Sequence, residues 1–303
     1  MSALNQDPIV SVVTPCLNAE RFVARTIDSV LAQDYAKIEY IVIDGGSRDG
    51  TIPILKRYGA RLRYLSARDS GAADAINRGF SISSGSILAW LNADDTYLPG
   101  AITTAVRTFL SMPDADVVYG EGVWTDEQGC PLGRYPTGIP YRPEMLEKEC
   151  GICQPTAFFR REVFESVGGL DSSLRCAFDY DFWIRLSRRH LFVAIPECLA
   201  NSRMHKTSLT LGQRKFVFEE NINILRRHYG YVPVNWVYGY LSYLRDGRDQ
   251  YFEPLQRSAF VYAQALLRGT QYNLKHPWKY WREWISILSS TLIRNSAVLG
   301  VQK

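Results

Sequence analysis

Glu39-Tyr-Ile-Val-Ile-Asp44-Gly-Gly-Ser47-Arg-Asp49-Gly-Thr51 is the stretch on which the fold turns. Its first six residues are mostly β-branched or aromatic and stop at a glycine pair, the pattern of a buried strand and its exit. Thr51 to Tyr58 then reads as a helix. Upstream, Ile9-Val-Ser-Val-Val13 is a second apolar run, leaving at Thr14-Pro15. Between the two, Asn18 to Gln33 sets Phe22, Val23, Ile27, Val30 and Leu31 at helical spacing. Downstream, Leu62–Leu65 reads as a strand and Gly71–Ser81 as a helix. Ser86-Ile-Leu-Ala-Trp-Leu91 is a further strand, ending at Asn92-Ala-Asp94-Asp95. Strands alternating with helices imply right-handed crossovers and a mostly parallel sheet covered on both faces. Ligands of such sheets collect at the carboxyl ends of strands. Thr14–Asn18, Asp44–Ser47 and Asn92–Asp95 all lie there.

The middle of the chain, Asp116–Arg203, is mixed. Val117–Tyr119 reads as a strand, Arg161–Val167 and Asp179–Arg188 as helices, and Leu191–Ile195 as a strand stopped by Pro196. From Gly212 onward the pattern is helical and aromatic, over Phe216–Tyr229, Trp236–Leu244, Pro254–Arg268 and Pro277–Ile293. The expected organisation is therefore a catalytic body over 1–211 and a helical extension over 212–303.

Composition allows a sizeable core: 303 residues, 46% hydrophobic and 22% charged. The net charge of +4 is unevenly spread. Residues 1–202 carry 20 Lys and Arg against 25 Asp and Glu, and residues 203–303 carry 15 against 6. The basic tail suits an anionic partner or simply a solvated surface. Met1–Pro8 lacks the basic start and apolar run of a secretion signal, and no run of 18 apolar residues occurs. The six cysteines are scattered, as reduced thiols in a cytoplasm would be. Cys150 and Cys153 have CxxC spacing but no second pair to complete a zinc site.

Two acidic clusters carry the chemistry. Asp94 and Asp95 are adjacent carboxylates at a strand end, with no Lys or Arg nearby in sequence. A divalent cation would relieve their repulsion, and hard oxygen ligands select Mg2+ or Mn2+. Such an ion can neutralise charge growing on a departing diphosphate. The plainer reading is a polar loop capping a helix. Asp44 is also a strand-end carboxylate, followed by glycines that let a ligand approach the backbone. It can accept from a base N–H or a ribose hydroxyl, or simply close a tight turn. Neither a Walker loop nor a GxGxxG dinucleotide fingerprint is present, which disfavours a nicotinamide dehydrogenase. A nucleotidyltransferase would show a glycine-rich triphosphate signature near the amino terminus, and none occurs.

Val13-Thr14-Pro15-Cys-Leu-Asn18, Ile43-Asp44-Gly-Gly-Ser-Arg-Asp-Gly-Thr51 and Leu91-Asn-Ala-Asp-Asp95 resemble, in order and spacing, the three signatures of family 2 glycosyltransferases. Asp69-Ser-Gly-Ala-Ala-Asp74-Ala-Ile-Asn77-Arg-Gly79 resembles the segment between the second and third. The likeness covers about 8–208. It implies a GT-A fold: a Rossmann-like, mixed but mostly parallel sheet with flanking helices. It also implies inverting transfer from a nucleotide-diphosphate sugar, with a UDP-sugar the expected donor. Thr14, Pro15 and Asn18 would line the base pocket, Asp44 would bind base or ribose, and Arg68 and Asp74 would lie against the nucleotide. Asn92, Asp94 and Asp95 match the DxD-type site, with Asn92 where the first acid often stands; Asp95 is the first choice for metal ligand. The donor half would span about 8–115 and the acceptor half about 116–211.

Inversion needs a base opposite the leaving diphosphate. Phe178-Asp179-Tyr-Asp181 resembles the family's Glu-Asp region, with Phe178 where Glu is usual. It implies Asp179 as base and Asp181 as the runner-up. Trp183 reads as core rather than an acceptor platform. Arg203-Met-His205-Lys-Thr-Ser208 resembles the family's Arg-x-His-x-x-Ser ending, where His205 can ligate the metal or touch diphosphate. The expected acceptor is a saccharide or lipid-linked saccharide in polysaccharide or glycolipid biosynthesis, and nucleic acid is not an expected partner. The expected site of action is the cytoplasm or the inner face of the plasma membrane. Trp278-Lys-Tyr-Trp-Arg-Glu-Trp284 suits a lipid headgroup layer, a cap on the body or an oligomer contact. The rival to transfer is a nucleotide-sugar-binding protein that has lost catalysis.

Overall fold

The apolar run at 9–13 becomes β1 (Val10–Cys16), with Val10, Val12 and Val13 fully buried and therefore covered on both faces. It lies at the centre of a parallel group with β2 (Ile38–Asp44), β3 (Arg63–Ser66) and β4 (Ile87–Trp90). This computed structural model describes residues 7–139, 141–247 and 258–287. The crossovers are α1 (Val23–Leu31), α2 (Thr51–Arg57) and α3 (Ala72–Ser81). α1 starts five residues later than its apolar spacing predicts. Asn18 has φ of 50°, incompatible with a right-handed helix, because its amide donates to Ser47 Oγ and its Oδ1 accepts from the Arg48 amide.

The remaining strands are β5 (Thr96–Tyr97), β6 (Val117–Thr125), β7 (Pro131–Arg134), β8 (Phe158–Arg160) and β9 (Phe192–Arg203). The nine-stranded sheet of the described residues runs β3-β2-β1-β4-β8-β6-β9-β5, with β7 beside β6. β8 is antiparallel to both β4 and β6, so the sheet is parallel in its first half and mixed in its second. β9 corrects the expectation that Pro196 ends a strand. Tyr119 pairs with Ala194 and Glu121 with Cys198, so the proline sits in an irregularity where it breaks no ladder bond, and the strand continues to Arg203.

α4 (Ala101–Ser111), α5 (Met145–Lys148), α6 (Arg161–Ser166), α7 (Phe178–Ser187) and α8 (Leu209–Gly212) complete this unit. Trp183 of α7 is fully buried and stacks on Trp90 of β4, ring centroids 5.6 Å apart. Such a pair is worth ~1 kcal/mol beyond its buried area. The ring is core, as its spacing suggests.

The chain divides into two compact units after Gly212. The second contains α9 (Arg214–Tyr229), α10 (Val234–Asp246), α11 (Ala259–Tyr272) and a helical stretch at 277–287. Residues 254–257 and 288–293, expected to be helical, lie outside the described residues. Tyr280 is buried and donates to the Ala265 carbonyl, while the Trp281 and Trp284 ring N–H groups donate to Thr270 Oγ1 and the Tyr262 carbonyl. Much of the aromatic cluster at 278–284 therefore binds the two helices into a hairpin, and Trp278 stays exposed. No described helix is long and apolar enough to cross a membrane.

Candidate active site

The exits of β1 and β2 are stitched together before any ligand arrives. Gly45 N–H donates to the Cys16 carbonyl, Ala19 N–H to Thr51 Oγ1, and Glu20 N–H to Asp49 Oδ2. Asp44, wholly buried, sits at the centre. Its Oδ2 accepts from the Gly46 amide (3.0 Å), the Ser47 amide (3.1 Å) and Ser66 Oγ (2.7 Å). Its Oδ1 accepts from Ser47 Oγ and, at 3.7 Å, from the Cys16 thiol. Burial alone would raise this carboxyl, but the two serine hydroxyls and the Ser47 and Gly46 amides outweigh it and hold it below the usual range. Burial, then the Asp44 charge, pushes the Cys16 thiol far up, so it stays protonated.

Of the other donor-side residues, Thr14 is buried with Oγ1 3.0 Å from the Tyr40 hydroxyl, and Pro15 is buried beside it. Asn18 is exposed and committed to the β2–α2 turn through Ser47 and Arg48. Arg68 is exposed, and Asp74 takes the Ser70 amide at the start of α3.

At the exit of β4 the two acids part company. Asp94 Oδ2 accepts from His205 Nε2 at 2.8 Å, and His205 Nδ1 lies 2.9 Å from the Thr207 hydroxyl. The imidazole is packed on Phe22, ring centroids 4.6 Å apart. Asp95 is 4% exposed; its Oδ1 accepts from the Arg203 amide (2.8 Å) and its Oδ2 from Asn92 Nδ2 (3.3 Å). Burial, reinforced by the Asp94 charge, raises the Asp95 carboxyl well above its ordinary value despite those two donors. Asn92 donates also to Gln154 Oε1 (3.1 Å), and Gln154 Nε2 to the Trp90 carbonyl (2.9 Å). The amide at 92 thus bridges two acceptors, which an aspartate could not do. Arg203 ties the corner: its Nε donates to the Asp94 carbonyl and its Nη1 to the carbonyls of Asp126 and Glu127.

Asp179 stands half-buried in the first turn of α7 and accepts from the Tyr180 amide. Asp181 is buried and paired with Arg185 at 2.7 Å; Arg185 in turn donates to the carbonyls of Val167 and Gly169. Asp181 therefore anchors a turn. The segment 150–154 joins the two acidic centres: after burial, the Asp179 charge raises the Cys150 thiol, and the Asp95 charge raises Cys153. Both cysteines are free and held protonated, which suits neither a disulfide nor a thiolate metal site.

The sequence profile described as glycosyl transferase family 2 matches residues 11–168, just over half of the chain. The chain belongs to that family. A glycosyltransferase from Rickettsia prowazekii, itself uncharacterised, is 30% identical over 215 residues, 67% of this chain and 66% of that one. The alignment with a Rickettsia felis relative spans 37% of that longer protein. A Mycobacterium bovis protein named for PGL/p-HBAD biosynthesis is 29% identical over 183 residues, 59% of this chain and 69% of its own. Among solved structures, S. aureus TarS 1–349 in complex with UDP-GlcNAc superposes with a TM-score of 0.59 at 14% identity, covering 87% of this chain and 81% of that one. The Pyrobaculum calidifontis mannosyltransferase PcManGT, in complex with GDP-Man and Mn2+, gives 0.58 at 18% identity, covering 100% and 83%. The family 2 glycosyltransferase described here thus has the GT-A-type fold of these neighbours.

Site partners that sequence reading left without a role are Arg203, Gln154, Ser47, Ser66 and Asp69. Arg203 stands inside a segment that resembles the family's, and that is the available signal. Ser66 had none, because a lone serine after a short strand has no pattern.

Proposed function

We propose that this family 2 glycosyltransferase transfers a sugar from a nucleotide-diphosphate donor, a UDP-sugar, to a saccharide or lipid-linked acceptor with inversion. The setting is cell-surface polysaccharide or glycolipid biosynthesis, in the cytoplasm or at the inner face of the plasma membrane. The observation that carries this reading is the corner at the β4 exit, where Asp94, Asp95, Asn92, Arg203 and His205 interlock beside the stitched exits of β1 and β2. It is supported by neighbours of the same fold solved with UDP-GlcNAc and with GDP-Man and Mn2+, and by the mycobacterial relative's name.

The donor set fits a hard divalent cation. Asp95 is a buried carboxylate with two donors and a like-charged neighbour, and Asp94 and His205 both turn polar atoms toward each other. Asp94, Asp95 and His205 would hold Mn2+ or Mg2+, which would neutralise the charge gathering on the leaving diphosphate. Among the described residues no three such side chains form a ready cage, so the diphosphate itself would supply ligands. Asp179 takes the proton of the acceptor hydroxyl as its oxygen bonds to the anomeric carbon and the bond to the diphosphate oxygen breaks on the opposite face. Asp181, spent on Arg185, positions α7. The catalytic body is 1–211, with donor and acceptor halves meeting near 115, and 212–303 is a helical extension.

Calorimetric titration of UDP, GDP and TDP with and without Mn2+ tests the donor site. Manganese-dependent binding of one of them is the expected result, and binding of none at millimolar concentration would remove the assignment. Asp179→Asn should bind donor like the parent and lose ~100- to 10,000-fold in transfer. Full activity in that variant, with loss in Asp181→Asn, would move the base to Asp181.

A further inference from the structure

The resemblance that brings Asp44 to the donor nucleoside meets a counting problem. A carboxylate offers about four lone-pair sites. Asp44 already receives five donors, from Ser47 twice, Gly46, Ser66 and Cys16, and has no exposed surface. No acceptor capacity is left for a base or ribose.

A second carboxylate stands over the same spot. Asp69 follows β3, whose exit is tied to that of β2 by the Ala67 amide on the Asp44 carbonyl (3.0 Å). Its Oδ2 and Oδ1 lie 2.7 and 3.0 Å from the place a Cβ on Gly45 would occupy, so the carboxylate fills the space that the missing side chain leaves. Oδ1 accepts from the Gly71 amide (3.0 Å), and Oδ2 has no hydrogen-bond partner among the described residues. The group is only partly buried. Burial, then the charges of Asp74 and Asp44, makes its ionised form costly and leaves it needing a donor, though the Gly71 amide and Arg78 pull the other way.

We propose that Asp69, not Asp44, is the carboxylate that reads the donor nucleoside, its open Oδ2 accepting the ring imide N–H of a uracil, thymine or guanine base. Asp44 is then a positioning residue that shapes the turn beneath. The Gly45 position is glycine because any side chain would push the Asp69 carboxylate off the β2 exit. This rests on the nucleotide-diphosphate reading given above.

The test is calorimetry on the full chain with Mn2+. UDP, TDP and GDP are titrated, and whichever binds is compared with its analogue methylated at the imide nitrogen. The parent protein should bind the methylated analogue about ten-fold or more weakly, the usual size of one hydrogen bond to a charged group. Asp69→Ala should bind both alike, at the weaker level, with inorganic diphosphate binding unchanged. Gly45→Ala should do the same with Asp69 intact, and serves also if Asp69→Ala fails to fold. A folded Asp69→Ala that still discriminates by the parent ratio overturns the assignment, as does a parent that ignores methylation. Parent protein that binds no diphosphate overturns the donor site and Asp69 with it, whereas binding without discrimination overturns Asp69 alone.

Discussion

Asp44, the last residue of β2, and Asp95, five residues beyond β4, are both buried aspartates at the carboxyl ends of one sheet, and their environments drive them in opposite directions. Five donors converge on the first and hold it ionised; two reach the second, which has Asp94 beside it and keeps its proton more readily. Burial acts on both; what parts the knot at Asp44 from the proposed cation site at Asp95 is the number of donors together with the Asp94 charge. The first carboxylate is satisfied by its own loop, and the second is left in deficit.

The strongest way to break this comparison is to neutralise the deficient partner. Asp95→Asn should lose manganese-dependent donor binding by roughly 100-fold or more, in line with losing a charged ligand. Its stability without metal should hold or rise, because a poorly compensated buried charge is gone. Calorimetry and thermal melting check both, and a lower melting point with normal binding would reverse the assignment. Asp44→Asn should do the converse. It turns acceptor oxygen into N–H facing other donors and should cost ~3 kcal/mol of folding stability, read by denaturant titration.

Acidity sharpens the contrast through opposite signs. Asp44 has a folded-state pKa below its unfolded value, so its contribution is complete above about pH 4 and disappears as pH falls further. Asp95 has a raised one. Its penalty is absent below about pH 4, grows as pH rises toward the raised value, and is constant above it. The stability gain of Asp95→Asn over the parent should therefore be small at pH 4 and larger at pH 8, in denaturant titrations without metal. The gentlest probe is Ser66→Ala, which removes one of the five donors to Asp44 and should cost ~1 kcal/mol. A cost of several kcal/mol would mean that the carboxylate is not over-supplied.

These donor counts also mark where sequence reading ran out. β1, β2 and β4 are legible because each is a short apolar run ending in polar or glycine residues, and the two acids at 94–95 stand out as a pair. The fates of those acids are set from far away. The amide on Asp95 belongs to Arg203, 108 residues on, and no periodicity links the two. β8 is three residues long and β5 two, too short for an alternation to register. β9 runs past Pro196 through an irregular pairing with β6, and nothing in the sequence near the proline signals that partner. One miss was readable: Asp181 and Arg185 are spaced i, i+4 on a helix, the spacing of an ion pair.

Arg203 has a consequence for how the protein is born. Synthesis delivers the chain from its amino terminus at ~5–20 residues per second, and early segments begin to fold before later ones exist. β6 lies between β8 and β9 in the sheet, and β9 ends at Arg203, two residues before His205. While the ribosome is still making the stretch that matches the family profile, β6 lacks its parallel neighbour, and Asp94 and Asp95 face each other with neither the amide nor the imidazole that manages them. The nascent protein therefore has an interval with an unpaired strand edge and an unfinished acidic corner, both closed by the same late segment.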